Sequence, residues 1–202
     1  MEFSVSFFTA LSVYIITMAI TPGPNCILSM VNAAQKGFPK CLTLNLGMLA
    51  GLLILDTFAY CVVSLIVSYM PIVKPVLQVA GIIYILYLAW SIYKRGEIKV
   101  SEKGGDFRTG FILQFMNVKA ILLGTSVVSN YILPANLTLF GGYLIIVYLV
   151  VMCFVCGVVW ALGGAVFAKS YNAHRRVFNL FFSLILIILA VSNCISMIKA
   201  YI

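Results

Sequence analysis

Residues 15–28 read IITMAITPGPNCIL, so two prolines and a glycine interrupt an apolar run. Proline lacks a backbone N–H and its ring clashes with the carbonyl group four residues earlier, so Pro22 and Pro24 cannot both continue one helix. The sequence therefore predicts a first span, residues 3–34, that breaks between Pro22 and Pro24. Irregular backbone at membrane depth is tolerated where it is buried or lines a cavity, which favours a binding site. The alternative is a structural kink near one end of the span.

The rest of the chain is as apolar as this stretch. Hydrophobic residues make up 63% of its 202 residues and charged residues only 9%, with a mean hydropathy of +1.13. That share is far above the usual content of a water-soluble domain. Six segments approach the roughly 20 residues that a membrane-spanning helix needs. They are residues 3–34, 42–70, 72–93, 109–133, 137–168 and 177–198. We expect an all-α integral membrane protein with six transmembrane helices.

The net charge of +8 reflects thirteen Lys and Arg residues against five Asp and Glu residues. Alternate loops place ten of the thirteen on one side, and Lys119 lies inside a span. That side carries Lys36, Lys40, Lys94, Arg95, Lys99, Lys103, Arg108, Lys169, Arg175 and Arg176, whereas the other has only Lys74 and Lys199. Basic loops face the cytoplasm, so both termini are predicted on the outer face. This distribution explains the charge without nucleic acid as a partner.

A polar linker, residues 96–107, divides one transmembrane domain of 1–202 into two sets of three spans. Residues 1–95 form the first predicted repeat and residues 108–202 the second. Two copies of a three-span unit enter the membrane from opposite sides, so they are inverted repeats. Secondary transporters are commonly built this way, with the binding site at the repeat interface near the midplane.

The break in the first span offers partners for both ends of a zwitterion. Carbonyl groups released from the first half-helix can accept hydrogen bonds from an ammonium group. The second half-helix is predicted to begin with Asn25 as its N-cap and to point unpaired N–H groups at the gap, which favours a carboxylate. The sequence predicts an amino-acid site at Thr21, Pro22, Gly23, Pro24 and Asn25.

The fourth span contributes Gln114, Asn117 and Lys119 at the position that corresponds to the first break. A lysine at the bilayer centre costs roughly 2.5 to 3.5 kcal/mol on insertion scales, so a partner is expected for Lys119. A substrate carboxylate or a buried carboxylate would serve. Alternatively, the side chain snorkels to an interface.

Asp56 is the single acidic residue inside a predicted span. A buried carboxyl group near a lysine can take up and release a proton as its surroundings change, which suits proton coupling. The alternatives are a fixed ion pair with Lys119 and a simple hydrogen bond between helices.

Other chemistry has little support in the sequence. No Ser-His-Asp set, metal-ligand cluster or Gly-rich phosphate loop is present, so we predict neither an enzyme nor a metal or cofactor site. The six cysteines lie in or beside apolar spans and are read as packing residues. A thiol-redox carrier that uses Cys26 remains an alternative, although span four offers no second cysteine.

Several motifs together resemble the LysE superfamily of amino-acid exporters, in its RhtB branch, over nearly the whole chain. They are Thr21-Pro22-Gly23-Pro24-Asn25, Lys36-Gly37-Phe38, Gly47 with Gly51, residues 80–90 and residues 110–120. The resemblance implies efflux of a small neutral amino acid or derivative, of the cysteine/O-acetylserine or homoserine/threonine type, from the bacterial cytoplasm. It further implies an inner-membrane protein driven by the proton motive force. Our hypothesis for the mechanism is proton antiport by alternating access, in which the two halves rock around the midplane site. A lysine-type exporter is the alternative, and small bundles of this kind often pair as homodimers.

Two positions deserve comparison with that family. Most members have proline where this chain has Val118, so span four lacks the residue that would force a second sharp break, and the break is left open. Asp56 resembles an acidic position that is common in the wider family.

Overall fold

The computed structural model describes residues 5–61 and 106–201, together with ten helical positions between residues 79 and 93. The end of the second predicted span, most of the third and nearly all of the linker lie outside the described residues. The regular elements in the two continuous ranges are helical. These are α1 (Val5–Ile20), α2 (Pro24–Lys36), α3 (Phe38–Cys61), α4 (Phe107–Met116), α5 (Val118–Val127), a π-helical turn (Val128–Ile132), α6 (Leu139–Val166), α7 (Ala168–Ala173) and α8 (Arg175–Tyr201).

Two of these helices, α3 and α6, are each long and apolar enough to cross a membrane. Two bent pairs pass the same test when each is taken as one span. The axes of α1 and α2 meet at 58°, and those of α4 and Val118–Ile132 meet at 68°. The part of the chain that the structure describes therefore supplies two to four candidate spans.

The predicted break in the first span is confirmed. Helix α1 ends at Ile20 and α2 begins at Pro24, where proline occupies a first-turn position whose N–H would have no helical partner. The predicted N-cap, however, is wrong. Gly23 caps α2 in an extended conformation without a side-chain hydrogen bond, and Asn25 lies one residue inside the helix. Its amide is thereby free to reach across to another helix.

A second sharp break occurs at Asn117, in the fourth span, where the sequence left a break open. Asn117 leaves the helical conformation (φ −93°, ψ 93°) between α4 and α5, although Val118 stands where a proline would force the change. Asparagine has a low helix propensity, and its side chain donates a hydrogen bond to Asn25 Oδ1 at 2.9 Å. We attribute this break to that contact between the two halves of the chain.

Helix contacts give the bundle two distinct ends. Helices α3 and α6 are antiparallel, because Asn45 lies beside Gly157 while Tyr60 lies beside Gly142. At one end α2 and α6 finish and α3, α4 and α8 begin. That end, called the basic end below, carries Lys36, Lys40, Arg108, Lys169 and Arg176. Their shared position agrees with the predicted clustering of basic residues on one side of the membrane.

Candidate functional site

A cavity lies where the two broken helices meet. Both breaks contribute to its wall, and α3 and α6 complete it. The described lining residues are Met18, Ala19, Gly23, Pro24, Asn25, Cys26, Asn45, Met48, Leu49, Leu52, Gln114, Asn117, Lys119, Ala120, Leu123, Val150, Cys153, Phe154 and Gly157. The cavity is apolar over most of its surface and polar at the breaks.

Three amide side chains join the breaks. Asn25 Nδ2 donates to Gln114 Oε1 at 3.0 Å, and Asn117 Nδ2 donates to Asn25 Oδ1 at 2.9 Å. Gln114 Nε2 also donates to the carbonyl of Gly110 at 3.2 Å. Gln114 and Asn117 are buried, so these bonds lie away from water and fix the two halves relative to each other.

Lys119 crosses from one break to the other. Its Nζ donates to the carbonyl oxygen of Thr21 at 2.7 Å, and its side chain lies beside Gly23. The ammonium group is therefore bound to one of the carbonyl groups that the sequence predicted as acceptors for a cation. It is not held by a fixed ion pair with Asp56, because neither carboxyl oxygen of Asp56 has a hydrogen-bond partner in the described part of the chain.

Side chains donate hydrogen bonds to carbonyl groups at the end of α1 that have no donor within the helix. Cys26 Sγ donates to the carbonyl of Ala19 at 3.2 Å, and Trp160 Nε1 donates to the carbonyl of Ile20 at 3.1 Å. The last turn of a helix leaves such acceptors without intrahelical donors. These contacts explain how the break is accommodated beside a largely apolar cavity.

The electrostatic character of the cavity is positive. The first turns of α2 and α5 adjoin it, and the amino ends of helices carry partial positive charge. Lys119 is the one charged side chain among the described lining residues, and no Asp or Glu is found in that set. An anionic group is the ligand that this wall favours.

Six of the eight predicted binding residues line the cavity. These are Gly23, Pro24, Asn25, Gln114, Asn117 and Lys119. Thr21 and Pro22 are exposed and do not line it, although Thr21 contributes its carbonyl to Lys119. Asn45 also lines the cavity but was not predicted from the sequence. The signal that could have identified it is its polar side chain within the apolar second span.

Asp56 lies outside the described cavity wall, buried to 1% exposure. It packs against Gly124 of α5, so closely that a Cβ atom on Gly124 would overlap Oδ1. Helix α5 begins next to Asn117 and carries Lys119 in its first turn. The carboxyl group is thus connected to the cavity through one short helix.

Cys26 and Cys153 both line the cavity, and both are free thiols. The second cysteine that a thiol carrier would need is thus offered by α6 rather than by the fourth span. No group of three or more His, Cys, Asp or Glu side chains that could hold a metal occurs within the described ranges.

Apolar helices bent around a shared, partly polar cavity define a multi-pass membrane protein of the transporter class. The chain belongs to the LysE family: residues 16–196 match the model of the LysE type translocator. The family assignment made from the sequence motifs is therefore confirmed.

Curated relatives cover most of the chain. The Cysteine/O-acetylserine efflux proteins of Salmonella paratyphi A and of Escherichia coli K12 are each 32% identical to it over 180 residues. The protein of that name from Escherichia coli O139:H28 is 33% identical. Each alignment spans 88% of this chain and 92% of the relative. No solved structure matches the chain significantly.

Proposed function

We propose that this protein exports a small neutral amino acid or derivative, of the cysteine and O-acetylserine type, from the bacterial cytoplasm. The observation that carries the proposal is the polar bridge between the two helix breaks: Asn117 bonds Asn25 and Lys119 bonds Thr21 beside one cavity. The names of relatives at 32–33% identity support the same substrate class.

The bridge suits a zwitterion. A substrate carboxylate is attracted to Lys119 and to the amino ends of α2 and α5. A substrate ammonium is suited to the Thr21 carbonyl that Lys119 now occupies. Binding then exchanges one ammonium for another at this carbonyl and leaves Lys119 to pair with the carboxylate. The Thr21 carbonyl and Lys119 each keep a partner in that exchange, which limits its energetic cost.

The remaining wall favours a neutral side chain. Met48, Leu52, Leu123 and Phe154 contribute apolar surface, and the described lining offers no carboxylate to a basic side chain. A second ammonium group on the substrate would lie near Lys119 without compensation. The lysine-type alternative is therefore disfavoured.

The two breaks and the antiparallel pair α3 and α6 support an arrangement of two inverted repeats, residues 1–95 and 108–202, within six spans. In this arrangement the cavity lies at the repeat interface and the repeats rock around it during alternating access. The basic end faces the cytoplasm and both termini face outward, because basic loops are retained inside. Small bundles of this kind can also pair as homodimers.

Asp56 is the proposed site of proton coupling. An ionised carboxylate buried without a partner is strongly disfavoured. Neither oxygen of Asp56 has a partner among the described residues, so we assign the protonated acid to this state. Movement of α5 during transport would separate Gly124 from the carboxyl group and expose it to water or to Lys119. Proton release in one state and uptake in the other gives antiport.

Efflux from proteoliposomes loaded with radiolabelled substrate tests the function. Under an imposed pH gradient, cysteine and O-acetylserine should leave faster than lysine, with homoserine and threonine included for comparison. Lys119→Met should raise the apparent KM, since it removes the partner of the carboxylate. Lys199→Met removes an exposed lysine near the end of α8 and serves as its control. Equal export of lysine, or an unchanged KM in Lys119→Met, would contradict the proposal.

A thiol-redox carrier is the second candidate, favoured by the presence of Cys26 and Cys153 in one cavity wall. Such a carrier needs both thiols, because it passes electrons by forming and breaking a disulfide. Alanine at either position would abolish redox transfer across the membrane. An amino-acid exporter should keep its transport in Cys153→Ala, because that thiol only lines the wall.

A further inference from the structure

Buried polar side chains continue from the cavity toward the basic end along one face of α2. Asn25, Ser29 and Asn32 are spaced i, i+4 and i+7, which places them on one side of a helix. Ser29 is 0% exposed and Asn32 is 1% exposed. Ser29 Oγ donates to Asn45 Oδ1 at 2.9 Å, so the polar face also includes a residue of α3.

A chain of three hydrogen-bonding side chains lies at the basic end of this face. Gln35 Nε2 donates to the Tyr171 hydroxyl at 2.6 Å, and that hydroxyl donates to Asn179 Oδ1 at 2.5 Å. The chain joins α2 to α7 and α8. Phe178 packs against the Tyr171 ring with centroids 5.8 Å apart, which helps to cover the chain.

This region holds several buried polar atoms without partners. Both amide atoms of Asn32, Oε1 of Gln35 and Nδ2 of Asn179 have no hydrogen-bond partner among the residues that the structure describes. An unpaired buried polar group opposes folding, whereas an apolar residue of similar shape would carry no such penalty. Packing alone therefore does not explain why these positions are amides.

We propose that the polar face of α2 is the basic-end half of the translocation path, and that the Gln35–Tyr171–Asn179 chain is the gate that closes it. The inference rests on the proposed function. In the closed state the gate excludes water and leaves Asn32 without a partner among the residues that the structure describes. When α2 moves away from α7 and α8, Asn32 meets water and the passing substrate.

The chemistry of the face suits passage rather than capture. Asn32 and Ser29 offer both donors and acceptors, so they can contact the ammonium and the carboxylate of a zwitterion in turn. Neither carries charge, so neither holds the substrate as strongly as a buried ion pair would. Lys119 remains the charged contact, at the central site.

The substitution Asn32→Leu tests whether Asn32 belongs to the translocation path or only packs in the protein interior. Leucine removes, at similar volume, two polar atoms that have no partner in the described part of the chain, so the thermal unfolding temperature should rise or stay level. O-acetylserine efflux should nevertheless fall by about tenfold, while equilibrium binding of O-acetylserine to the purified protein is unchanged. Asn32→Ser replaces the amide with a hydroxyl, which still donates and accepts hydrogen bonds, so it should retain more efflux than Asn32→Leu. Undiminished efflux in Asn32→Leu would overturn the assignment of the path.

The gate is tested by labelling Asn32→Cys with a membrane-impermeant maleimide applied from the cytoplasmic side, with modification at residue 32 read by mass spectrometry. Adding Tyr171→Phe removes the gate hydroxyl and should raise the labelling rate severalfold. Tyr148→Phe is the matched control, because Tyr148 lies on α6 and its hydroxyl bonds Ser12 of α1 rather than a gate residue. This substitution should not raise labelling.

Labelling does not depend on which substrate is carried, so the two proposals fail separately. Equal labelling with and without Tyr171→Phe, in protein that still exports O-acetylserine, would overturn the gate alone. Failure of the wild-type protein to export any amino acid of the panel would overturn the proposed function instead.

Discussion

Gly124 of α5 lies directly against the buried carboxyl group of Asp56 on α3, leaving no room for a Cβ atom at position 124. The two residues are far apart in the sequence and belong to the two proposed repeats. Because α5 also carries Lys119, this contact joins the carboxyl group to a helix that lines the cavity.

Gly124→Ala should disturb that connection. The added methyl group must push Asp56 or α5 aside, which lowers the free energy of unfolding by about 1–3 kcal/mol and slows efflux driven by a pH gradient. Gly163→Ala is the control, since a Cβ atom there meets nothing within 4 Å. Thermal unfolding and proteoliposome efflux, measured on both variants, check the prediction. Equal behaviour of the two would contradict it.

Asp56→Asn should uncouple transport from the proton gradient. Asparagine has nearly the same shape as the protonated acid but cannot release a proton, so efflux driven by a pH gradient should be lost. Exchange of substrate at equal pH on both sides should persist, because the central site is intact. Gradient-driven efflux at the wild-type rate would remove Asp56 from the coupling mechanism.

Asn25 and Asn117 should be energetically coupled, because their hydrogen bond joins the breaks. A double-mutant cycle with Asn25→Ala and Asn117→Ala, read by thermal unfolding, should give an interaction free energy of about 0.5–3 kcal/mol. Pairing Asn25→Ala with Ser183→Ala supplies the control, since Ser183 bonds the carbonyl of Ala89 instead. Additive effects in the first cycle would mean that the breaks are stabilised independently.

Asp106 should stabilise α4 in a pH-dependent manner. Its carboxylate accepts hydrogen bonds from the backbone N–H and the hydroxyl of Thr109, both at 2.9 Å, which lowers the pKa of this exposed group. A lowered pKa means that the stabilisation is present above the ordinary pKa, near 3.9, and is lost as the pH falls through the folded value.

Asp106→Ala should therefore lower stability by about 1 kcal/mol at neutral pH, with a smaller difference from wild type near pH 3. Asp106→Asn keeps a capping oxygen that does not titrate, and it separates the cap from the charge. Unfolding temperatures at several pH values provide the measurement. A deficit in Asp106→Ala that stays constant down to pH 3 would contradict the role of the carboxylate.

The two helix breaks at the candidate site differ in how far local sequence predicts them. The break after Ile20 is stereochemical, since Pro22 and Pro24 cannot both sit inside a helix, and it was predicted in place. The break at Asn117 has no such cause. It coincides with a hydrogen bond to Asn25, a partner 92 positions away, and the fourth span has Val118 in place of a proline that would have marked the break.

The sequence by itself determined the membrane class, the first break, the segregation of basic residues and the family, because each depends on composition, local stereochemistry or matched motifs. Only the tertiary structure decided which groups meet: Lys119 with the Thr21 carbonyl, Asp56 with Gly124, and Asn25 with Gln114 rather than with its own helix. Hydrogen bonds and close contacts between distant segments act over a few ångströms, and those distances exist only once the helices have packed.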